Sequence, residues 1–119
     1  MEQDARPGGL LAWQWSLYDQ GHRDRGNLVL HLCTVPWFML GTLTVLATPL
    51  LGPLGGLGLL PMVLAVALQG RGHAREGIAP VPFRGPLDVV LRIFCEQWIT
   101  FPRFVLSGKL GRAYRDAGP

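Results

Sequence analysis

Two cysteines among 119 residues are too few for a disulfide framework. Cys33 and Cys95 both fall in apolar runs, with no CxxC and no zinc-finger spacing, so each reads as a small buried hydrophobe. Charge is scarce as well. Only 16% of residues are charged, where an average soluble domain carries about a quarter. The shortage is local: from Gly26 to Gly70 there is no Lys, Arg, Asp or Glu, while both ends are charged normally. No continuous basic face interleaved with aromatics exists, so the net charge of +3 does not mark a nucleic-acid-binding protein. A positive n-region is missing too, because Glu2 and Asp4 stand where it would be. A cleavable signal is therefore not expected, and the first span remains as an anchor.

What is present is oil, punctuated by 16 glycines and 10 prolines. Leu28–Leu51 is long enough to cross a bilayer, which takes about 20 apolar residues, and Pro36 is tolerable there as a kink. Gly52–Gly58 is turn chemistry without charge, and Leu59–Gln69 returns; even started near Pro53 this second arm is marginal for a full crossing, so a spanning arm is favoured over a re-entrant hairpin without excluding it. Arg23 and Arg25 precede the first arm and Arg71 and Arg75 follow the second, which places both ends in the cytoplasm. Met1–Gly9 reads as a frayed terminus, and Leu10–Gln20 as a short interfacial helix closed by Gly21–Gly26. Gly77–Pro86 is a connector that proline keeps from being helical throughout. From Leu87 onward, Asp88, Arg92, Glu96, Thr100, Arg103 and Ser107 recur at helical steps as one polar stripe, which reads as a wet face, and Pro102 should bend the helix. The tail from Lys109 reads as basic and solvated. Trp13, Trp15, Trp37 and Trp98 read as interface anchors or packing.

The expected fold is thus all-α: one small integral-membrane helical hairpin (about 27–70) flanked by N- and C-terminal amphipathic or interfacial helices, the latter about 87–107. The whole chain, 1–119, forms a single domain.

Histidine is the third scarcity, and its placement carries the chemistry. His22 lies just outside the first arm, His31 about one turn inside it, and His73 just after the second. A hairpin brings its outer ends together, so all three converge at the cytoplasmic mouth. Glu76 follows His73 by one turn if the helix continues, and Asn27 and Gln69 each precede a histidine by one turn. Imidazole with carboxylate suits Fe(II), Zn(II) or similar ions, and the amides would orient the rings from behind. An ionisable group such as His31 inside an apolar span is a functional hypothesis by default. His22 and His73 also admit a plainer reading, as a solvated loop residue and an interfacial cation. The residues alone leave open a non-catalytic membrane scaffold or lipid-binding protein, or a metal protein of another chemistry such as zinc hydrolysis.

The pattern H-x4-N-x3-H at His22, Asn27 and His31, followed by a Pro-bearing apolar span, resembles the opening motif of the Mpo1-like family. Gln69, Gly72, His73 and Glu76 match its second motif, Q-x2-GH-x2-E, and Glu96–Gly108 (EQWITFPRFVLSG) is similar to the C-terminal segment of its bacterial branch. The resemblance implies a membrane-embedded Fe(II)-dependent dioxygenase of lipid metabolism. It would carry out α-oxidation of a 2-hydroxy fatty acid to the acid one carbon shorter, with the bilayer, a fatty-acyl substrate and O2 as partners. It further implies a bacterial inner-membrane location. His22, His31 and His73 become iron-ligand candidates, and Glu76 a ligand or catalytic base. Arg71 or Arg75 would pair with the substrate carboxylate. No nucleic-acid partner is expected, and homo-oligomerisation is left open.

Overall fold

In the computed structural model, which describes residues 5–117, helix follows helix and no strand occurs among the described residues. Helix α1 spans Leu10–Tyr18 and passes through a tight 3-10 turn, Asp19–Gly21, into a short extended link. Helix α2 spans Arg25–Leu46, α3 spans Thr48–Leu51, a 3-10 stretch covers Gly52–Gly58, and α4 spans Leu59–His73. After an irregular connector come α5 (Pro86–Cys95), a π-helical turn (Glu96–Thr100), α6 (Phe101–Leu106) and α7 (Lys109–Asp116).

Local chemistry explains these boundaries. Asp24 caps α2, its carboxylate accepting from the Asn27 backbone N–H at 2.9 Å. The helix runs unbroken through Pro36 and stops at Leu46, short of the Leu51 expected from hydropathy; Pro49, just beyond, cannot supply the N–H that a continuing helix needs. Hydroxyls inside the apolar stretch are satisfied by their own helix: Thr34 donates to the Leu30 carbonyl at 2.6 Å, Thr42 to Phe38 at 2.8 Å and Thr44 to Leu40 at 2.9 Å.

Two runs, Arg25–Leu46 and Thr48–His73, are long and apolar enough to cross a membrane. Their most apolar windows are only 33% and 17% buried, the reverse of what a soluble core helix shows. Leu40, Leu43, Leu46, Leu57, Leu60 and Val63 all point outward with more than half their surface exposed. Cys33 is exposed on α2 and Cys95 half-buried, so neither is the buried hydrophobe expected from its neighbours; here apolar surroundings in sequence mean an outward-facing side chain.

The two runs pack antiparallel. Gly41 of α2 meets Gly58 so closely that a Cβ on either would lie 2.3–2.4 Å from the other's carbonyl oxygen. At the opposite end Gly72 of α4 sits against Asn27 of α2. The apolar core gathers beyond that end, where Tyr18, Leu28, Val35, Phe101 and Phe104 close on one another.

Two peripheral expectations change. Arg6, in the segment expected to fray, grips Asp88 through two bonds of 2.7 and 3.0 Å; Met1–Asp4 lie outside the described residues. The tail is not merely solvated. It forms α7, tied down where Arg25 Nε donates to the Tyr114 carbonyl at 2.7 Å and Lys109 Nζ pairs with Asp19 at 3.2 Å. Gly108, at φ 85°, makes the left-handed corner that lets α7 turn back. Trp13 and Trp15 are stacking platforms for cations, under Arg6 and Arg92 and under Arg103 and Lys109 respectively.

Candidate metal centre

His22 sits in the link after the 3-10 turn, His31 in the second turn of α2, and His73 at the last position of α4. The antiparallel pairing of α2 with α4 brings His31 to His73, and α1 delivers His22 from the side. Ring centroids are 4.8, 4.9 and 5.0 Å apart in the three pairings, with planes crossing at 82°, 82° and 84°. Three mutually perpendicular rings at equal spacing form a propeller whose edges face one point. Glu96 completes it. One ligand atom from each of His22, His31, His73 and Glu96 lies within 4.8 Å of all the others.

Two of the three rings have one nitrogen spoken for. His22 Nδ1 meets the Tyr18 carbonyl at 2.9 Å, and His31 Nδ1 meets the Asn27 carbonyl at 3.0 Å. A carbonyl only accepts, so Nδ1 carries the proton in both rings and Nε2 presents its lone pair. Both Nε2 atoms are buried and make no hydrogen bond among the described residues. They stand 3.5 and 3.4 Å from Glu96 Oε2, facing it without a proton to share. Two buried lone pairs aimed at a carboxylate are unfavourable as they stand and are what a divalent cation would satisfy.

Tyr18 organises this arrangement. Its ring stacks on His22 at 3.8 Å and 14°, its carbonyl holds His22 Nδ1, and its hydroxyl donates to Glu96 Oε2 at 2.7 Å. Burial, followed by the neighbouring Glu96 charge, pushes the Tyr18 phenol well above its ordinary value, so it stays a donor.

Glu96 reaches inward because the helix is wound wide at this point. The Phe101 N–H bonds back to the Glu96 carbonyl, five residues earlier, and Pro102 has no N–H with which to keep the tighter pattern. The expectation of a simple bend at Pro102 becomes a π turn, and the supposed wet stripe turns inward at Glu96 and Thr100, the latter 2% exposed with Gln97 beside it at 1%, while Arg103 stays exposed.

Glu76, expected as ligand or base, is elsewhere. Helix α4 ends at His73, and the turn through Ala74 and Arg75 swings the Glu76 carboxylate to the start of α2. There it accepts from the Arg23 N–H (2.9 Å), the Asp24 N–H (3.1 Å) and Asn27 Nδ2 (2.6 Å). Asn27 does hold the His31 ring, but through its carbonyl rather than its amide. The Gln69 amide donates to Thr34 Oγ1 at 2.9 Å and pairs reciprocally with Gln97 at 3.0 and 2.7 Å. Arg71 and Arg75 are exposed, and Arg75 Nε is bound to Asp24 at 2.7 Å. Glu96 was read only as part of a wet stripe and of a C-terminal segment, and neither it nor Tyr18 or Gln97 was assigned to the site; the signal available was a carboxylate within the largely apolar run from Val89 to Leu106.

A cavity of about 620 Å³ opens onto this collar, with His22, His73 and Glu96 in its wall beside Trp13, Leu17, Val66, Ile78, Val81 and Phe83. No family model, curated protein or solved structure matches the chain. Its chemistry has to be argued from the collar itself.

Proposed function

We propose that the chain is a membrane-embedded Fe(II)-dependent oxygenase that removes one carbon from a 2-hydroxy fatty acid. One observation carries this reading: two buried, unsatisfied imidazole nitrogens converge with a third imidazole and a carboxylate at the inner end of an apolar cavity. His22, His31, His73 and Glu96 are the residues that would hold the ion. The set contains the two-histidine, one-carboxylate combination of oxygen-activating iron sites, with one imidazole more. Bound Fe(II) would supply affinity for O2 and for the hydroxy acid's oxygens together with the redox chemistry. The chain's part is to fix the donors, to lay an acyl chain along the apolar wall and to keep bulk water away. The overall balance closes with O2 as co-reactant: the 2-hydroxy acid and O2 give the shorter acid, carbon dioxide and water. The resemblance to the Mpo1-like family points the same way.

In this reading the spans Arg25–Leu46 and Thr48–His73 form an integral-membrane hairpin, and the helices before and after it rest at the interface with both termini cytoplasmic. The collar then lies at the cytoplasmic mouth, where a lipid-derived acid can enter from the leaflet.

The test is metal analysis of protein purified in detergent without chelator, with turnover of 2-hydroxypalmitate under air. Wild type should hold close to one iron per chain and release the shorter acid. His31→Ala and Glu96→Ala should lose most of the iron and all turnover. Folded wild-type protein with neither iron nor product would sink the proposal and leave a lipid-binding module. Bound zinc in place of iron, with no turnover of the hydroxy acid but hydrolysis of an acyl ester that takes up no oxygen, would favour hydrolytic zinc chemistry in its place.

A further inference from the structure

The cavity wall holds a single Lys or Arg among the described residues, Arg92, and we infer that this guanidinium binds the carboxylate of a single-chain fatty acid lying in the cavity. The inference deepens the oxygenase reading and rests on it for the identity of the chain's substrate, but its test does not depend on iron.

Arg92 lies one helical turn before Glu96 on the same face, so a ligand whose head meets the collar has a cation one turn away. The guanidinium is sandwiched between aromatic rings, 4.3 Å from the Phe83 centroid and 5.2 Å from that of Trp13. Its NH1 and NH2 groups donate to the Pro82 and Val81 carbonyls at 3.1 and 2.9 Å. These contacts hold it rigidly without supplying a counter-charge. The nearby carboxylate, Asp88, is committed to Arg6 through two short bonds and stands 3.6 Å from Arg92. Five N–H donors make a guanidinium a carboxylate receptor of matching geometry. Asp88 is thus shared, pairing with Arg92 at 3.6 Å while bonded twice to Arg6, so two guanidiniums face one carboxylate and the surplus positive charge favours an anionic ligand over a neutral one. The volume of about 620 Å³ lies within the range that accommodates one small ligand, which favours a single acyl chain over a two-chain phospholipid. Arg71 and Arg75, the cations expected in this role, are exposed and outside the wall.

The experiment compares decanoate, methyl decanoate and decyl phosphate titrated into the full chain in zwitterionic nanodiscs, with and without prior removal of metal. Wild type should prefer decanoate over its methyl ester by roughly 10- to 100-fold, the worth of a charge-assisted bond, even after metal removal. Arg92→Gln should keep wild-type iron content and, once the metal is removed, should bind acid and ester alike. Arg92→Lys should keep part of the preference. Arg84→Gln removes an exposed cation outside the wall and should leave the preference intact, which separates recognition from a general loss of positive charge. Equal binding of acid and ester by wild type, an undiminished preference in Arg92→Gln, or tighter binding of decyl phosphate than of decanoate each overturn the assignment. Wild type lacking iron but retaining the acid preference would leave this site standing and remove the oxygenase reading alone.

Discussion

Two glycines in the last turns of α4 make a sharp test of how the helix pair positions the collar. A Cβ at Gly70 would meet nothing within 4 Å, whereas a Cβ at Gly72 would lie 2.2 Å from Asn27 Oδ1, 3.1 Å from its Cγ and 3.2 Å from Leu30 Cδ1. An ordinary carbon–oxygen approach is about 3.3 Å or more, so about 1 Å of movement is needed. Asn27 is fully buried, its Nδ2 is bound to Glu76 at 2.6 Å and its carbonyl holds the His31 ring. Relief must therefore break the Glu76 bond or push α4 off α2. Alanine adds up to about 1 kcal/mol of helix propensity at either position. At Gly72 that gain is set against about 1–3 kcal/mol of overpacking and about 1.5 kcal/mol for a bond to a carboxylate. Gly70→Ala should melt at or above wild type. Gly72→Ala should be destabilised by about 1–3 kcal/mol and should lose iron, because His73 is its neighbour. Thermal unfolding in one detergent, with metal content measured on the same preparations, reads both effects. A Gly72→Ala protein as stable and as iron-rich as Gly70→Ala would refute the reasoning.

The separate placement of the two glutamates predicts separate phenotypes. Glu76→Gln should retain iron and lose about 1 kcal/mol of stability, since it weakens only the bonds from Arg23, Asp24 and Asn27; loss of iron at wild-type stability would contradict this. Asp88 gives a pH signature. The paired Arg6 guanidinium holds its carboxyl below the ordinary range despite burial, so the folded value lies under the unfolded value of about 3.9. Its contribution is then fully present above that pH and fades as pH falls below it. The stability gap between wild type and Asp88→Asn should stay constant near neutrality and close below about pH 4. A gap that widens in acid would show the sign to be wrong.

How much of this was readable from residues alone follows from which features are local. The uncharged run from Gly26 to Gly70, and its length, are local, and two helices able to cross a membrane can be read directly from it. The meeting of His22, His31 and His73 is readable because they mark the outer ends of two arms, and an antiparallel pair brings such ends together whatever its detailed packing. Glu96 is different. A polar stripe on a helix says only that one face differs from the other. Whether that face meets water or a ring of histidines depends on how α5 is laid against α1, through Tyr18 to Glu96 and Gln14 to the Arg92 carbonyl. Glu76 was assigned on the assumption that α4 continues, but the helix stops at His73, and three residues are enough to carry a side chain to another element. The same dependence hid Arg92, whose place in a cavity wall exists only after the Gly77–Pro86 connector has folded over it.

The polar groups among the apolar helices follow one rule, and the exceptions to it are informative. Thr34, Gln69 and Gln97 satisfy one another, and Thr42 and Thr44 return their protons to their own helix. Asn27 gives its amide protons toward Glu76, leaving its Oδ1 unmatched against Gly72. Where a polar group could be matched from within the fold, it almost always is. His22 Nε2 and His31 Nε2 are left, at about 1–3 kcal/mol each, a large share of the 5–15 kcal/mol by which a domain is stable. Packing faults would scatter. These two atoms point at one carboxylate, which a buried tyrosine holds in place and which a π turn extends to reach them. A fold that spends rigidity on holding unsatisfied lone pairs against a carboxylate is stabilised by whatever cation enters between them. Of the species small enough to do so, a divalent cation matches three lone pairs and a negative charge at once.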